Sequence, residues 1–220
     1  MPLPGGDERT PGQHRQGPDR MNLNAIKDFL TRDKPRFICT AEGSEGEATY
    51  TAWIEHHATD PGAADVALLS EAPESLRSFF SEFGSLRLYC DAHSSSSAFY
   101  LARPSEWAQL QQEFLNWIRM LSADGQSMVP DWVEDCVVFG EIPETGNYLI
   151  MPRQGPEAGK VYLFDCQAFD FVEEAPDLSA YLLAITTPDE ALYEKIRQHT
   201  RYSDGETATQ WLVREYASAS

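Results

Sequence analysis

The chain has 220 residues, of which 42% are hydrophobic and 11% aromatic, enough apolar material for a core without disulfide or metal staples. Its 17 basic and 35 acidic residues give a formal net charge of −18, which opposes binding to nucleic-acid backbones and anionic membranes because both demand positive surface. An acidic protein suits a basic partner, although acidity also serves solubility alone. The length fits one large domain or two small ones, and we favour one domain with tails.

The sequence contains few features that indicate targeting or redox chemistry. Residues 1–20 contain Met1 and Leu3 as their large apolar residues, so we expect no signal peptide, and no run approaches the ~18 apolar residues of a membrane span. The even number of cysteines permits two disulfides, but none forms a C-x-x-C pair. We therefore expect a cytoplasmic protein with buried free thiols at Cys39, Cys90, Cys136 and Cys166.

The N-terminal part of the chain gives weak signals. Residues 1–20 are dense in Pro, Gly, Asp, Gln and Arg, which predicts a disordered tail, and Met21 is a second candidate initiator. Helical spacing predicts a short helix over 24–30, and residues 37–40 resemble a strand. Residues 48–58 fit either state: Thr49 and Thr51 favour a strand, while Ala48 and Ala52 favour a helix. We prefer the helix.

Two amphipathic helices are predicted next. Residues 71–83 follow Ser70, a candidate N-cap, and bury Leu76, Phe79, Phe80 and Phe83 at spacings of a helix face. Strands over 86–90 and 99–102 separate this helix from a longer one that Ser105 caps and Asp124-Gly125 ends. The apolar stripe of the second helix is typical of a core, and its members are Trp107, Leu110, Phe114, Trp117, Ile118 and Leu121.

Residues 137–172 form the segment around which we expect the rest of the chain to fold. Short runs rich in Val, Ile, Tyr and Phe occupy 137–139, 148–151, 161–164 and 169–172, and Pro and Gly clusters separate them. Parallel neighbours need crossovers of about a dozen residues, which these gaps do not supply, so the runs form an antiparallel meander. We predict an α+β fold in which a twisted antiparallel sheet is packed by N-terminal, middle and C-terminal helices.

Three further helices are predicted after the meander. The first spans 177–183, after Pro176. A capping box at 187–190 starts a helix over 188–200, and a similar device at 203–206 precedes a helix over 207–216. The last two helices either lengthen the core or present a separate surface.

The order of these segments resembles the SUKH superfamily, in the branch named after a yeast regulator of cell-wall synthesis (Smi/Knr-like). The matching pieces are residues 139–143, 146–149, 159–162 and 171–175, with 73–84 similar to the first helix of the family and 107–117 to its middle helix. The resemblance covers about residues 72–183. We expect one domain over 21–220, with its core at about 70–183 and a helical extension at 187–217.

Candidate catalytic motifs fail on spacing or on missing partners. Gly155 and Gly159 enclose three residues instead of four, and Val161 follows Lys160, so the segment predicts a hairpin turn and not a phosphate loop. Cys90 and His93 could pair as nucleophile and base, but no third group orients them. His56 and His57 diverge by about 100° on a helix and imply no metal site. We expect no catalytic residues, no cofactor and no metal.

Acidic residues cluster from 134 to 177, with ten carboxylates against Arg153 and Lys160. They form either a solvated sheet face or an electrostatic landing site for a basic protein. The second interpretation predicts a partner-binding set of Trp132, Glu134, Asp135, Glu141, Glu144, Asp170, Glu173 and Glu174.

The SUKH resemblance implies a non-enzymatic binding module. Bacterial relatives typically act as immunity proteins that neutralise a cognate toxin, often a nuclease, and occlusion of a basic toxin domain by the acidic face is the mechanism we expect. A regulatory scaffold that docks signalling or cell-wall enzymes is the alternative. A hydrolase using Cys90 or a carboxylate pair has no motif behind it. Binding to nucleic acid or membrane is not expected.

Overall fold

A computed structural model describes residues 22–32, 35–43, 48–94, 96–121 and 129–217. The predicted tail over 1–20 and the predicted helix stop at Asp124-Gly125 lie outside these residues. No helix in the described ranges is long and apolar enough to cross a membrane.

The described strands form one nine-stranded antiparallel sheet, in the order β8-β7-β6-β5-β4-β3-β2-β1-β9. The predicted meander at 137–172 is confirmed as β5 to β8. The strands are β1 (Arg36–Ala41), β2 (Thr49–Thr59), β3 (Ser85–Asp91), β4 (Phe99–Leu101), β5 (Cys136–Ile142), β6 (Asn147–Pro152), β7 (Val161–Asp165), β8 (Asp170–Ala175) and β9 (Trp211–Tyr216).

Helices cover both faces of the sheet, and the predicted α+β class is confirmed. They are α1 (Leu23–Leu30), α2 (Ala63–Leu68), α3 (Glu74–Phe80), α4 (Trp107–Arg119), α5 (Leu178–Thr186) and α6 (Glu190–His199). Short 3-10 helices occupy Leu69–Glu71, Pro104–Glu106 and Val133–Asp135.

Helix α4 packs on one face, which we call the α4 face. There Phe114 meets the rings of Tyr148, Phe164 and Phe171 on β6 to β8. On the opposite face, Phe29 of α1 contacts His56 and Tyr89. The Tyr89 hydroxyl donates to the Ile185 carbonyl of α5, 2.7 Å away, which ties that helix to the sheet.

The preferred helix over 48–58 was wrong, because the segment is strand β2. Its alternating residues Ala52 and Ile54 are buried, while Trp53 between them is 46% exposed, the two-residue period of a strand with one covered face. The local propensities of this segment do not distinguish a strand from a helix. Its pairing with β1 on one side and β3 on the other makes it a strand.

The predicted helix over 207–216 was also wrong, because the chain there forms β9 beside β1. Trp211 and Val213 alternate toward the core, and the exposed Arg214 occupies an irregularity in the register. Asp204 does not cap a helix. Its carboxylate accepts from the backbone N–H groups of Glu206 and Thr207 and holds a turn before the strand.

Three helix starts also differ from the predictions. Helix α3 begins at Glu74 after Pro73, not at Ser70, because the preceding residues form a 3-10 turn. A 3-10 turn likewise precedes α4, where the Ser105 backbone N–H donates to the Asp65 carboxylate. Asp189, not Thr187, caps α6 by accepting from the Leu192 N–H.

Candidate functional site

A row of side chains crosses four strands on the α4 face. The pairing register sets His57 of β2 opposite Arg87 of β3, Arg87 opposite Tyr100 of β4, and Tyr100 opposite Glu141 of β5. Paired residues project to the same face of a sheet. The row therefore brings residues distant in sequence to one place beside α4.

A cavity of about 330 Å³ opens where this row meets α4. Its sheet side consists of Arg87, Tyr100 and Glu141. Its helix side presents Glu106, Gln109, Leu110 and Glu113. Three carboxylates thus face one guanidinium, and we call these seven residues the α4 cavity.

Three contacts hold the sheet side of the α4 cavity in place. The Tyr100 hydroxyl donates to Glu106, with an O···O distance of 2.6 Å. The Arg87 guanidinium lies 4.0 Å from the Tyr100 ring centroid and donates to the Ser97 hydroxyl at 3.4 Å. The Arg87 guanidinium is therefore held over the ring as a cation–π contact.

The ionised form of Glu141 is disfavoured in this site. Loss of hydration raises the pKa of its carboxyl group, the charge of Arg87 opposes that rise, and the charges of Glu113 and Glu106 add to it. Two like charges near a partly buried carboxylate disfavour its ionised form. A cation entering the α4 cavity would stabilise the ionised form of Glu141, so the arrangement suits a lysine or arginine side chain.

Comparison with known proteins finds no matching family model, no matching curated protein and no matching solved structure. The SUKH resemblance therefore rests on the sequence segments given above.

A second cavity, of about 320 Å³, lies at the turn of the β5–β6 hairpin, where Pro143, Glu144 and Thr145 line it. His199, Arg201, Glu144 and several hydroxyl side chains line it. Arg201 is already paired with Glu42 at 2.9 Å, and the Nδ1 atom of His199 lies 3.1 Å from the Ala98 carbonyl oxygen. Because Arg201 and His199 already have partners within the chain, this cavity is a weaker candidate for a ligand.

The structure does not place all eight predicted partner-binding residues on one surface. Glu141 lies in the α4 cavity, as described. Trp132 is half-buried, and its ring contacts that of Tyr162, with centroids 4.9 Å apart and planes tilted by 35°. Tyr162 pairs with Glu173 across β7 and β8, so the structure brings Trp132 and Glu173 together at that edge of the sheet.

The neighbouring Glu173 and Glu174 have separate partners. Glu173 contacts Lys160 at 2.9 Å, whereas Glu174 contacts Lys195 of α6. A register irregularity between Val161 and Tyr162 puts Glu174 opposite neither of them. Their charges are thus partly neutralised within the chain.

The remaining predicted residues lie at the two ends of the sheet. Glu134 and Asp135 are exposed in the 3-10 helix before β5, and Asp135 is 4.0 Å from Arg153. Glu144 is in the turn after β5, and Asp170 begins β8. Because β5 has seven residues at about 3.3 Å each, Asp135 and Glu144 are roughly 20 Å apart.

Sequence reasoning missed most of the α4 cavity, because only the carboxylates from 134 to 177 were counted. Glu106, at the end of the 3-10 turn that leads into α4, and Glu113 on α4 are seven residues apart, a spacing that predicts a shared helix flank. Arg87 and Tyr100 carried no such signal, because only the β3–β4 register brings them together.

Cys90 and His93, the candidate nucleophile and base, are placed unfavourably for nucleophilic chemistry. Burial raises the pKa of Cys90 to about 11, which works against a thiolate. The His93 ring lies against Gly205, and an added Cβ there would be 2.8 Å from its Nδ1 atom. No group of three or more His, Cys, Asp or Glu residues in the described ranges could hold a metal.

Proposed function

We propose that this protein is a non-enzymatic binding module that acts as an immunity protein, neutralising a basic toxin domain by occluding it. The observation that carries the proposal is the α4 cavity, in which Glu106, Glu113 and Glu141 surround a space large enough for a cationic side chain. The net charge of −18 supports it, because long-range attraction draws a basic partner toward the surface.

Occlusion would work because carboxylates of this protein take the place of the phosphates that the toxin binds. A nuclease cleft is built to hold phosphates, so its lysines and arginines can be satisfied by carboxylates instead. The carboxylates of the α4 cavity are held on a strand, a 3-10 turn and a helix, which keeps the cost of ordering them on binding low. A partner cation in the cavity would also lower the free energy of the ionised Glu141.

The experiment is co-expression with toxin domains encoded beside the gene, scored by rescue of bacterial growth. Rescue by the intact protein, together with a stable complex after purification, is the expected result. Failure to rescue growth from any neighbouring toxin would remove this function, and recovery of a host signalling enzyme as a stoichiometric partner would favour the scaffold alternative.

A further inference from the structure

The α4 face continues beyond the α4 cavity onto an open part of the sheet. On β2 the side chains that share this face are Thr49, Thr51, Trp53, Glu55 and His57, of which Trp53 is 46% exposed. The registers of β1 and β9 add Arg36, Ile38, Thr40, Leu212 and the exposed Glu215. We call these ten residues the open strip.

The open strip has the dimensions of a helix site. The strip lies on the neighbouring strands β2, β1 and β9, and the spacing to Arg87 on the adjoining β3 adds a third gap of about 4.8 Å, so the surface from β3 to β9 is roughly 14 Å wide. A helix with its side chains is about 10 to 12 Å across. Helix α4, with 13 residues, covers the other half of the same face, so a second helix of similar length would lie beside it.

The chemistry of the open strip is amphipathic. Trp53, Ile38 and Leu212 offer apolar surface, and the Arg36 guanidinium lies 5.1 Å from the centroid of the Trp53 ring. An exposed tryptophan beside an arginine is the composition enriched in binding hot spots. An occupant therefore needs an apolar face directed at the strip.

The flank beside α4 has a different requirement. There the row His57, Arg87, Tyr100 and Glu141 leads directly from the open strip into the α4 cavity, with its three carboxylates. A helix lying on the strip would present one flank to these carboxylates. Charge complementarity requires that flank to carry lysine or arginine.

We propose that the open strip and the α4 cavity together dock an amphipathic helix of the partner, whose apolar face covers Trp53 and whose basic flank inserts a side chain between Glu106, Glu113 and Glu141. This inference rests on the proposed function for the identity of the partner. It adds where the partner binds and which secondary structure it presents. The recognition mode is a helix packed against an exposed groove, completing a layer that α4 begins.

The probe is a fluorescein-labelled 18-residue peptide of Leu and Lys arranged as an amphipathic helix, with a scrambled peptide of the same composition as its control. Fluorescence anisotropy at low salt should show binding of the amphipathic peptide at least tenfold tighter than that of the scrambled one. Trp53→Thr, which keeps a strand-compatible residue at an exposed position, should weaken binding about tenfold.

The charge test compares two triple variants with the same net change. Glu106→Gln, Glu113→Gln and Glu141→Gln together should weaken peptide binding at least tenfold. The matched triple of Glu71→Gln, Glu74→Gln and Glu206→Gln changes exposed residues elsewhere and should alter the dissociation constant less than twofold. Equal weakening by both triples, or an unchanged constant for Trp53→Thr, would overturn the inference.

Growth rescue separates this inference from the proposed function. If the cavity triple and Trp53→Thr still neutralise a toxin that the intact protein neutralises, the docking site is wrong and the function stands. If no toxin is neutralised while the peptide binds as predicted, the function is wrong and the docking surface stands. Thermal unfolding of each variant confirms that it is folded.

Discussion

The Nδ1 atom of His56 accepts a hydrogen bond from the backbone N–H of Tyr89, with an N···N distance of 3.1 Å. Tyr89 has a φ of 58°, and this bond satisfies its backbone at an irregularity in the β2–β3 register. The imidazole is packed between the Phe29 and Tyr89 rings, with centroids 4.7 and 4.9 Å away. An acceptor nitrogen in such surroundings has to stay unprotonated.

Stability should therefore fall below neutral pH. Burial, and then the charge of His57, lower the pKa of His56 to about 4, and burial and Lys195 lower the pKa of His199 to about 4. In the unfolded chain histidine titrates near pH ~6.5, so that chain takes up protons first as the pH falls. The stabilisation is complete above about pH 6.5 and decreases between there and about pH 4.

Urea unfolding at pH 7.5 and pH 5 measures this effect. We expect a loss on the order of 1 to 3 kcal/mol per histidine, and His56→Gln, which keeps an acceptor but does not titrate, should reduce the loss. His93→Gln, at an exposed histidine outside this cluster, is the matched control. The same pH dependence in His56→Gln as in the unmodified protein would contradict the assignment.

Gly140→Ala should destabilise the sheet next to the α4 cavity. A Cβ at this position would lie 2.4 Å from the Tyr100 carbonyl oxygen of the neighbouring strand, so backbone must move. The expected cost is about 2 to 4 kcal/mol in urea unfolding. Gly43→Ala meets no atom within 4 Å and incurs only the strain of its φ of +74°, so a cost for Gly43→Ala equal to that of Gly140→Ala would refute the steric explanation.

The two acidic neighbours on β8 should respond differently to neutralisation. The Glu174 side chain is 10% exposed against Lys195, whereas that of Glu173 is 45% exposed against Lys160. Removing one partner of a buried pair leaves the other charge uncompensated, while exposed pairs contribute about 0 to 1 kcal/mol. Glu174→Gln should thus lower the unfolding free energy more than Glu173→Gln, and the reverse order would contradict the placement.

Thiol labelling tests the chemistry of the cysteines. Cys39, Cys90 and Cys136 are buried, and burial raises their pKa values to about 12, 11 and 11. Cys166 is only partly buried. An aromatic disulfide reagent at pH 8 should react quickly only with Cys166, lose that phase in Cys166→Ser, and reach four thiols in denaturant. Rapid labelling of Cys90 would instead revive a nucleophilic role.

The strands of the meander could be predicted because short β-branched and aromatic runs alternate with turn residues over 137–172. Strands β2 and β9 could not. Residues 48–58 carry balanced propensities, and the turn at Asp204 imitates a helix cap because an aspartate accepts backbone N–H bonds in both settings. Both strands owe their state to pairing with β1, a contact between distant parts of the chain.

The candidate site was predictable only in part for the same reason. Glu141 was identified from the acidic cluster, but the other residues that line the α4 cavity come from four other elements: β3, β4, the 3-10 helix Pro104–Glu106 and α4. Trp53 becomes recognisable as a surface residue only when β2 is assigned as a strand, because the strand period separates it from the buried Ala52 and Ile54.

The most direct test of the central claim is the association rate with the toxin domain whose growth defect the protein rescues, followed by stopped-flow fluorescence from about 20 to about 500 mM salt. An acidic protein that captures a basic partner should associate with a rate that falls at least tenfold across this range. Neutralising Glu106, Glu113 and Glu141 should lower the rate at low salt and flatten the dependence. A rate that is independent of salt, or no measurable association, would contradict the account.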